Sequence, residues 1–324
     1  MAAEITTGKD EKYNASHPRY TELRKVLKDL CNNGEITTAK LYEESDVSQS
    51  AINQFINGRE SKTRFDKVFI QLSTWYETYQ RRLESEKEIP NGPGYIHTET
   101  SRKIEEVVTY AHMAPDIVKV YGISGAGKTE TFKEYVRNNS GVCLATMTSV
   151  HATVKSSLVE IGKCLSVSNA RNNHLLFDEI CDALVVKRGL LIIDEAQHLR
   201  TSSIDQIRQL HDATGCGVVL AGNEQVYSNI KGNNNTAEFL APLSSRAMMG
   251  IRLKKTLPGD AVKIANAWGI NNDESIKIII EISQRPGALR AVHKTIKYAC
   301  MLSSNRIPQT KHIRAAYKRL TEES

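Results

Sequence analysis

No stretch of about 18 consecutive apolar residues occurs anywhere in the 324-residue chain, so no transmembrane helix is expected. The first residues, Met1-Ala2-Ala3-Glu4-Ile5-Thr6, lack the basic-then-apolar design of a secretory signal. Six cysteines (Cys31, Cys143, Cys164, Cys181, Cys216, Cys300) are scattered with no C-x-x-C pair. That spacing argues against a zinc knuckle and against a disulfide framework, and implies a reducing cytoplasm. Acidic residues are missing from one stretch in particular. Between Arg285 and Leu320 there are nine Lys or Arg and no Asp or Glu. The whole chain carries only +6, so the remainder is slightly acidic. A basic end beside a near-neutral body suits a polyanion or an acidic protein surface, and it equally suits a solvated face that maintains solubility.

What is present is organised around Gly122-Ile123-Ser124-Gly125-Ala126-Gly127-Lys128-Thr129. The apolar run Ile117–Tyr121 precedes it and a helical stretch from Glu130 to Val136 follows. Strand, glycine-rich turn, Lys-Thr and helix form the context in which a G-x-x-x-x-G-K-T string binds phosphate. Backbone N–H groups and the positive end of the new helix face the polyphosphate. Lys128 reaches the outer phosphates, and the Thr129 hydroxyl is a ligand for Mg²⁺. Leu190-Leu191-Ile192-Ile193-Asp194-Glu195 is a second apolar strand, and it ends in two carboxylates sixty-six residues after Lys128. Nucleotide hydrolysis needs charge neutralisation and a positioned water more than covalent chemistry. Asp194 is suited to share the metal with Thr129, and Glu195 to orient or deprotonate the water. Asn223 ends a further strand, Gly217–Gly222, where it can hydrogen-bond that water or the γ-phosphate.

Along the chain, residues 1–18 are polar and aperiodic, which predicts a flexible N-terminus. Residues 19–88 are helical in pattern. Thr37 to Arg59 resembles a repressor-type helix-turn-helix, in which Ser48 caps a second helix, Ile52, Phe55 and Ile56 face inward, and Gly58 ends it. Gln49, Ser50, Asn53 and Gln54 point outward with the short amides and hydroxyls that read base edges, and Arg59 is placed to hold a phosphate. Protein contacts through the same turn are the rival reading. An aromatic stripe from Phe65 to Leu83 at spacings of three and four is expected to be core rather than a stacking platform. Residues 89–94, with Pro90-Asn91-Gly92-Pro93-Gly94, form the clearest linker. Residues 95–256 alternate apolar strands with helices, predicting an α/β domain with a parallel five-stranded sheet whose functional groups lie at the strand ends. Residues 257–324 are helical only and basic.

Together, Lys128-Thr129, Asp194-Glu195, Asn223, Arg246 after Leu243-Ser244-Ser245, and Arg290 in Gly287-Ala288-Leu289-Arg290 resemble the Walker A, Walker B, sensor 1, arginine finger and sensor 2 of an AAA+ ATPase. Arg252 competes with Arg246 for the finger role. The resemblance implies that the finger acts in trans on a neighbour's ATP, so that hydrolysis requires oligomers. A DEAD/H-type helicase is rejected, because only about 160 residues of α/β pattern are present where two tandem domains are needed. Helix-turn-helix, compact ATPase, then small basic helical domain is similar to the phage Mu B-type transposition ATPases, a group that includes the TnsC-like proteins, and Asp194-Glu195-Ala196-Gln197-His198 is typical of that group. This resemblance implies an ATP- and Mg²⁺-dependent enzyme that polymerises as a filament on double-stranded DNA. It would deliver that DNA to a transposase, stimulate strand transfer, and be released by hydrolysis. It also implies DNA contacts after the second strand, with Lys155 first and Lys163 and Arg171 further on. A nucleotide-switched helix-turn-helix transcription regulator of the AAA+/STAND type is the alternative, and an ATPase of a secretion or loading machine is a third.

Overall fold

The computed structural model describes residues 18–58, 64–88, 92–167, 172–187, 189–226, 249–303 and 307–322. The chain divides into two compact units, 1–89 and 90–324.

The first unit is helical: α1 Thr21–Asn32, α2 Thr38–Ser45, α3 Gln49–Asn57 and α4 Phe65–Glu88. Local chemistry sets its boundaries. The Thr37 hydroxyl accepts the Lys40 N–H to start α2, and Ser48 accepts the Ala51 N–H to start α3. Gly58 adopts the left-handed conformation that stops α3. Three residues, Asp46–Ser48, separate α2 from α3, and Asp46 is itself left-handed at φ 54°. Ile52, Phe55 and Ile56 are buried, as are Phe65, Val68, Leu72, Trp75 and Tyr79 of α4. The aromatic stripe is therefore core. Tyr20 packs edge-on to Phe55, with ring centroids 5.7 Å apart, and the Trp75 indole donates to Glu44 at 3.0 Å.

The second unit begins with α5 (Glu99–Met113), then β1 (Ile117–Gly122), α6 (Lys128–Asn138), β2 (Val142–Thr146), α7 (Val154–Leu165) and α8 (Asn173–Lys187). It continues through β3 (Leu190–Asp194), α9 (Thr201–Thr214), β4 (Gly217–Gly222) and β5 (Gly250–Leu253). All pairings are parallel, in the order β2-β3-β4-β1-β5. Alternate residues of each strand supply opposite faces. Ile117, Cys143, Leu191, Ile193, Val218 and Leu220 meet α7, α8 and α9, whereas Val118, Val120, Ile192, Val219 and Ala221 meet α5 and α6. Because β4 lies between β3 and β1, the residue after β4 lies between the turns that follow the other two. Asn223, Asp194-Glu195 and the glycine-rich loop thus share one edge of the sheet.

Four further helices, α10 Pro258–Ala267, α11 Asp273–Ser283, α12 Ala288–Met301 and α13 Thr310–Glu322, enclose a second core around Ile264, Ile279, Val292, Ile296 and Ile313. They are tied to the sheet domain through Asp260. This fully buried carboxylate in α10 accepts the Glu99 N–H at 2.8 Å and the Thr100 hydroxyl, at the first turn of α5. Among the described residues no helix is long and apolar enough to cross a membrane.

In one respect the structure departs from the cysteine spacing. Cys143 of β2 lies directly against Cys164 of α7, twenty-one residues on. Helix α7 lies directly over β2, so two residues without any motif between them meet in the core. Cys31, Cys181, Cys216 and Cys300 are free.

Candidate functional site

The loop from β1 to α6 curls because Gly122, Gly125 and Gly127 take positive φ values of 132°, 81° and 96°. Gly125 also has no room for a side chain. A Cβ there would stand 2.1 Å from the Gly287 carbonyl oxygen, just before α12. The loop is therefore packed against the start of α12, which carries Arg290. Lys128, the first residue of α6, is buried, and its ammonium donates to the Gly122 and Ile123 carbonyls at 3.0 and 2.9 Å. Burial pushes the Lys128 ammonium below its ordinary value, and the carboxylates of Asp194 and Glu195 oppose that shift.

Thr129 joins this loop to β3: its hydroxyl donates to Asp194 Oδ2 at 2.6 Å. Asp194 is fully buried, and burial raises its carboxyl above the ordinary range against the opposing bonds from Thr129 and the Glu195 N–H. Glu195 follows at φ 55°, a left-handed position unusual for a residue with a side chain. Its N–H donates to Asp194 Oδ1 at 2.9 Å. Its own carboxylate accepts from the Gln197 amide, whose oxygen in turn accepts the Asn223 N–H at 3.3 Å. Asn223 Oδ1 accepts the Gln225 N–H at 2.8 Å, which commits the oxygen and leaves the Nδ2 donors for another group. Two strand ends and a phosphate-type loop are thus linked by bonds running from Lys128 and Thr129 to Asn223.

Comparison with known proteins fits this arrangement. A model described as an AAA domain matches residues 111–230, the segment holding β1, β3, β4 and their turns. A model described as the Mu B transposition protein, C terminal, matches residues 245–320. The "ATP-dependent target DNA activator B" of Escherichia phage Mu is 33% identical over 303 residues, covering 93% of this chain and 95% of the phage protein. The chain belongs to the Mu B family of transposition proteins. The protein of the same description from Escherichia phage D108 matches to the same extent. The "Mu-like prophage FluMu DNA transposition protein B" of Haemophilus influenzae is 32% identical over 285 residues, covering 87% of this chain and 97% of that protein.

In this Mu B family member the loop opens into a cavity of about 650 Å³. Its polar lining comes from Ser124, Gly125, Ala126, Gly127, Lys128 and Thr129, with Glu195 and Arg290. Its apolar lining comes from Ile96, Ile264 and Leu289, with the rings of Tyr95 and His293. Tyr95 is fixed by its hydroxyl, which bonds Glu105 at 3.0 Å and Thr131 at 3.2 Å. Burial, and then the neighbouring Lys297, hold the His293 imidazole below its ordinary value.

Of the residues expected from sequence, Gly122, Ile123, Lys128, Thr129, Asp194, Glu195, Asn223 and Arg290 gather at this edge. Arg252, on β5, is ion-paired with Glu224 at 3.0 Å within its own chain. Gln49, Ser50 and Asn53 are exposed along α3 of the first unit. Lys155 is exposed in the first turn of α7, and Lys163, in the last turn, is ion-paired with Glu160 at 2.8 Å. Arg59, Arg171 and Arg246 lie outside the described residues. Sequence reasoning missed Tyr95, Ile96, Ile264 and His293, which carry no local motif, and gave no role to Leu289 within the Gly287–Arg290 string. It also assigned nothing to Gln197, although the Asp-Glu-Ala-Gln-His string had been singled out.

Proposed function

We propose that this Mu B family protein is an ATP-dependent activator of target DNA for transposition, and that it hydrolyses ATP at the cavity between the glycine-rich loop and Asp194-Glu195. The observation that carries the reading is the 2.6 Å bond from the Thr129 hydroxyl to the Asp194 carboxylate. It places a hydroxyl and a carboxylate side by side at the mouth of a phosphate loop, an all-oxygen donor pair of the kind Mg²⁺ shares with nucleotide phosphates. The fit to ATP is supported by the cavity lining, with backbone N–H groups and Lys128 for the phosphates and apolar surface from Ile96, Ile264 and Leu289 for the base. Thr129 and Asp194 would hold Mg²⁺, which would supply neutralisation of phosphate charge.

The chain's own residues do the rest. Lys128 leaves the Gly122 and Ile123 carbonyls for the outer phosphates. Glu195 orients the attacking water and accepts its proton. The Asn223 amide donates to the γ-phosphate or that water. Arg290, brought to the loop by the Gly125–Gly287 contact, holds phosphate charge from the side of α12. Arg246 serves as the finger inserted into a neighbouring subunit's site, so assembly and hydrolysis are linked. In this reading the chain polymerises on double-stranded DNA in the bacterial or phage-infected cytoplasm, presents it to a transposase, and leaves once ATP is spent. Lys155, Lys163 and Arg171 contact phosphates without reading sequence, whereas Gln49, Ser50 and Asn53 form an exposed helix face of the first unit suited to base edges, and Arg59 is assigned a backbone phosphate.

Filter binding to random-sequence duplex, with and without ATP, tests the reading. Sequence-tolerant binding is expected only with ATP, weakening steeply as salt rises, and Lys128→Ala is expected to lose it. Equal binding without nucleotide overturns the proposal. Tight operator-specific binding that persists at physiological salt favours the transcription-regulator alternative.

A further inference from the structure

Gln197 stands on the short 3₁₀ turn Ala196–His198, two residues past Glu195 and half-buried. The left-handed backbone at Glu195 reverses the chain there, which brings the amide back over the preceding carboxylate. Both ends of that amide are engaged. Its nitrogen donates to Glu195 Oε2, and its oxygen accepts the Asn223 N–H at 3.3 Å. One side chain therefore spans the ends of β3 and β4. The strand it reaches is shaped to admit it: a Cβ at Gly222 would stand 2.1 Å from Gln197 Oε1. The far partner is also rigid, because the side-chain oxygen of Asn223 is held by the Gln225 N–H. Backbone and side chain of Asn223 consequently move together.

We propose that Gln197 is a positioning residue for ATP hydrolysis, transmitting the position of the β4 end at Asn223 to the carboxylate of Glu195. A planar amide keeps its oxygen and nitrogen at fixed separation. A displacement of Asn223 toward a terminal phosphate is therefore passed to the group that orients the water. The inference rests on the hydrolytic roles proposed above for Glu195 and Asn223.

Steady-state and single-turnover ATP hydrolysis by the full chain with duplex DNA tests it. Gln197→Ala is expected to lower kcat about 10- to 100-fold, the scale of a misplaced catalytic group, while KM for ATP stays within about twofold. Gln197→Glu keeps the acceptor for Asn223 but sets a carboxylate against Glu195, and should be equally slow. Gln197→Met, which keeps the length of the side chain but neither hydrogen bond, should show the same kcat-selective loss and carries the test if Gln197→Ala folds poorly. In a Glu195→Gln background, Gln197→Ala should cause a much smaller further loss, because the larger part of its effect runs through that carboxylate and only the remainder through Asn223. Losses that multiply in the double variant, or a rise in KM matching the fall in kcat, overturn the proposal in favour of a purely structural role. Wild-type turnover by Gln197→Ala beside an inactive Glu195→Gln overturns the coupling alone. Normal turnover by Glu195→Gln overturns the hydrolytic reading itself.

Discussion

Asp194 is held in conflict between stability and chemistry. Burial raises its carboxyl above the ordinary value of 3.8, so the ionised form that the proposed metal role calls for is disfavoured in the folded protein. An acid whose folded value is raised takes up its proton more readily when folded than when unfolded. Stability is therefore lost as pH rises from the ordinary value through that raised one. Asp194→Asn removes the charge and keeps an oxygen for the Glu195 N–H, while its new amide N–H can donate to the Thr129 hydroxyl oxygen in place of the bond that hydroxyl gave. It is expected to melt about 2–4 °C higher than wild type at pH 7. The advantage should fade as pH falls through the raised value toward 3.8, and ATP turnover should be lost at every pH. Thermal melts across pH 4–8, paired with phosphate release, check both halves. An equal or lower melting temperature at pH 7 would show that the opposing hydrogen bonds outweigh burial. Glu195→Gln separates the two neighbours, since it is expected to bind ATP, hydrolyse poorly and leave long-lived filaments on DNA under the electron microscope. Short-lived assemblies from that variant would count against release by hydrolysis.

Among the elements, those whose ends are set locally were legible in the sequence. Ser48 and Gly58 bracket α3 through a side-chain cap and a left-handed stop. The apolar runs ending at Tyr121, Asp194 and Gly222 emerged as parallel strands, since strands buried on both faces read as continuous hydrophobic runs. Contacts between distant residues were not legible. The Cys143–Cys164 pair depends on how α7 lies across β2. The apolar lining of the cavity comes from Ile264, Leu289 and His293, more than 130 residues beyond the glycine-rich loop. The bond from Asp260 in α10 to the first turn of α5 is of the same kind. Asp260→Ala leaves the Glu99 N–H and the Thr100 hydroxyl without their buried acceptor. The loss is expected to cost about 1.5–3 kcal/mol. Because α10 also lines the cavity through Ile264, weaker ATP binding should accompany it. Denaturant unfolding and nucleotide titration measure the two effects, and a change in stability with unaltered affinity would show that the latch does not shape the cavity.

At the scale of the molecule, the two units present different surfaces. The first exposes Gln49, Ser50 and Asn53 on one helix, and the second gathers the cavity beside the glycine-rich loop from both its sheet domain and its terminal helices. The sheet order is the decisive global fact. Its central pairing joins Ile117 of β1 to Val218 of β4, and Arg290 reaches the loop only from α12. During synthesis the glycine-rich loop leaves the ribosome long before the strand that supports it, and before the helix that closes against Gly125. A nascent chain carrying only the motif therefore has no site to fill. If ATP binds as proposed, its capture waits for nearly the last helix, and an unfinished copy would not compete with finished ones for it.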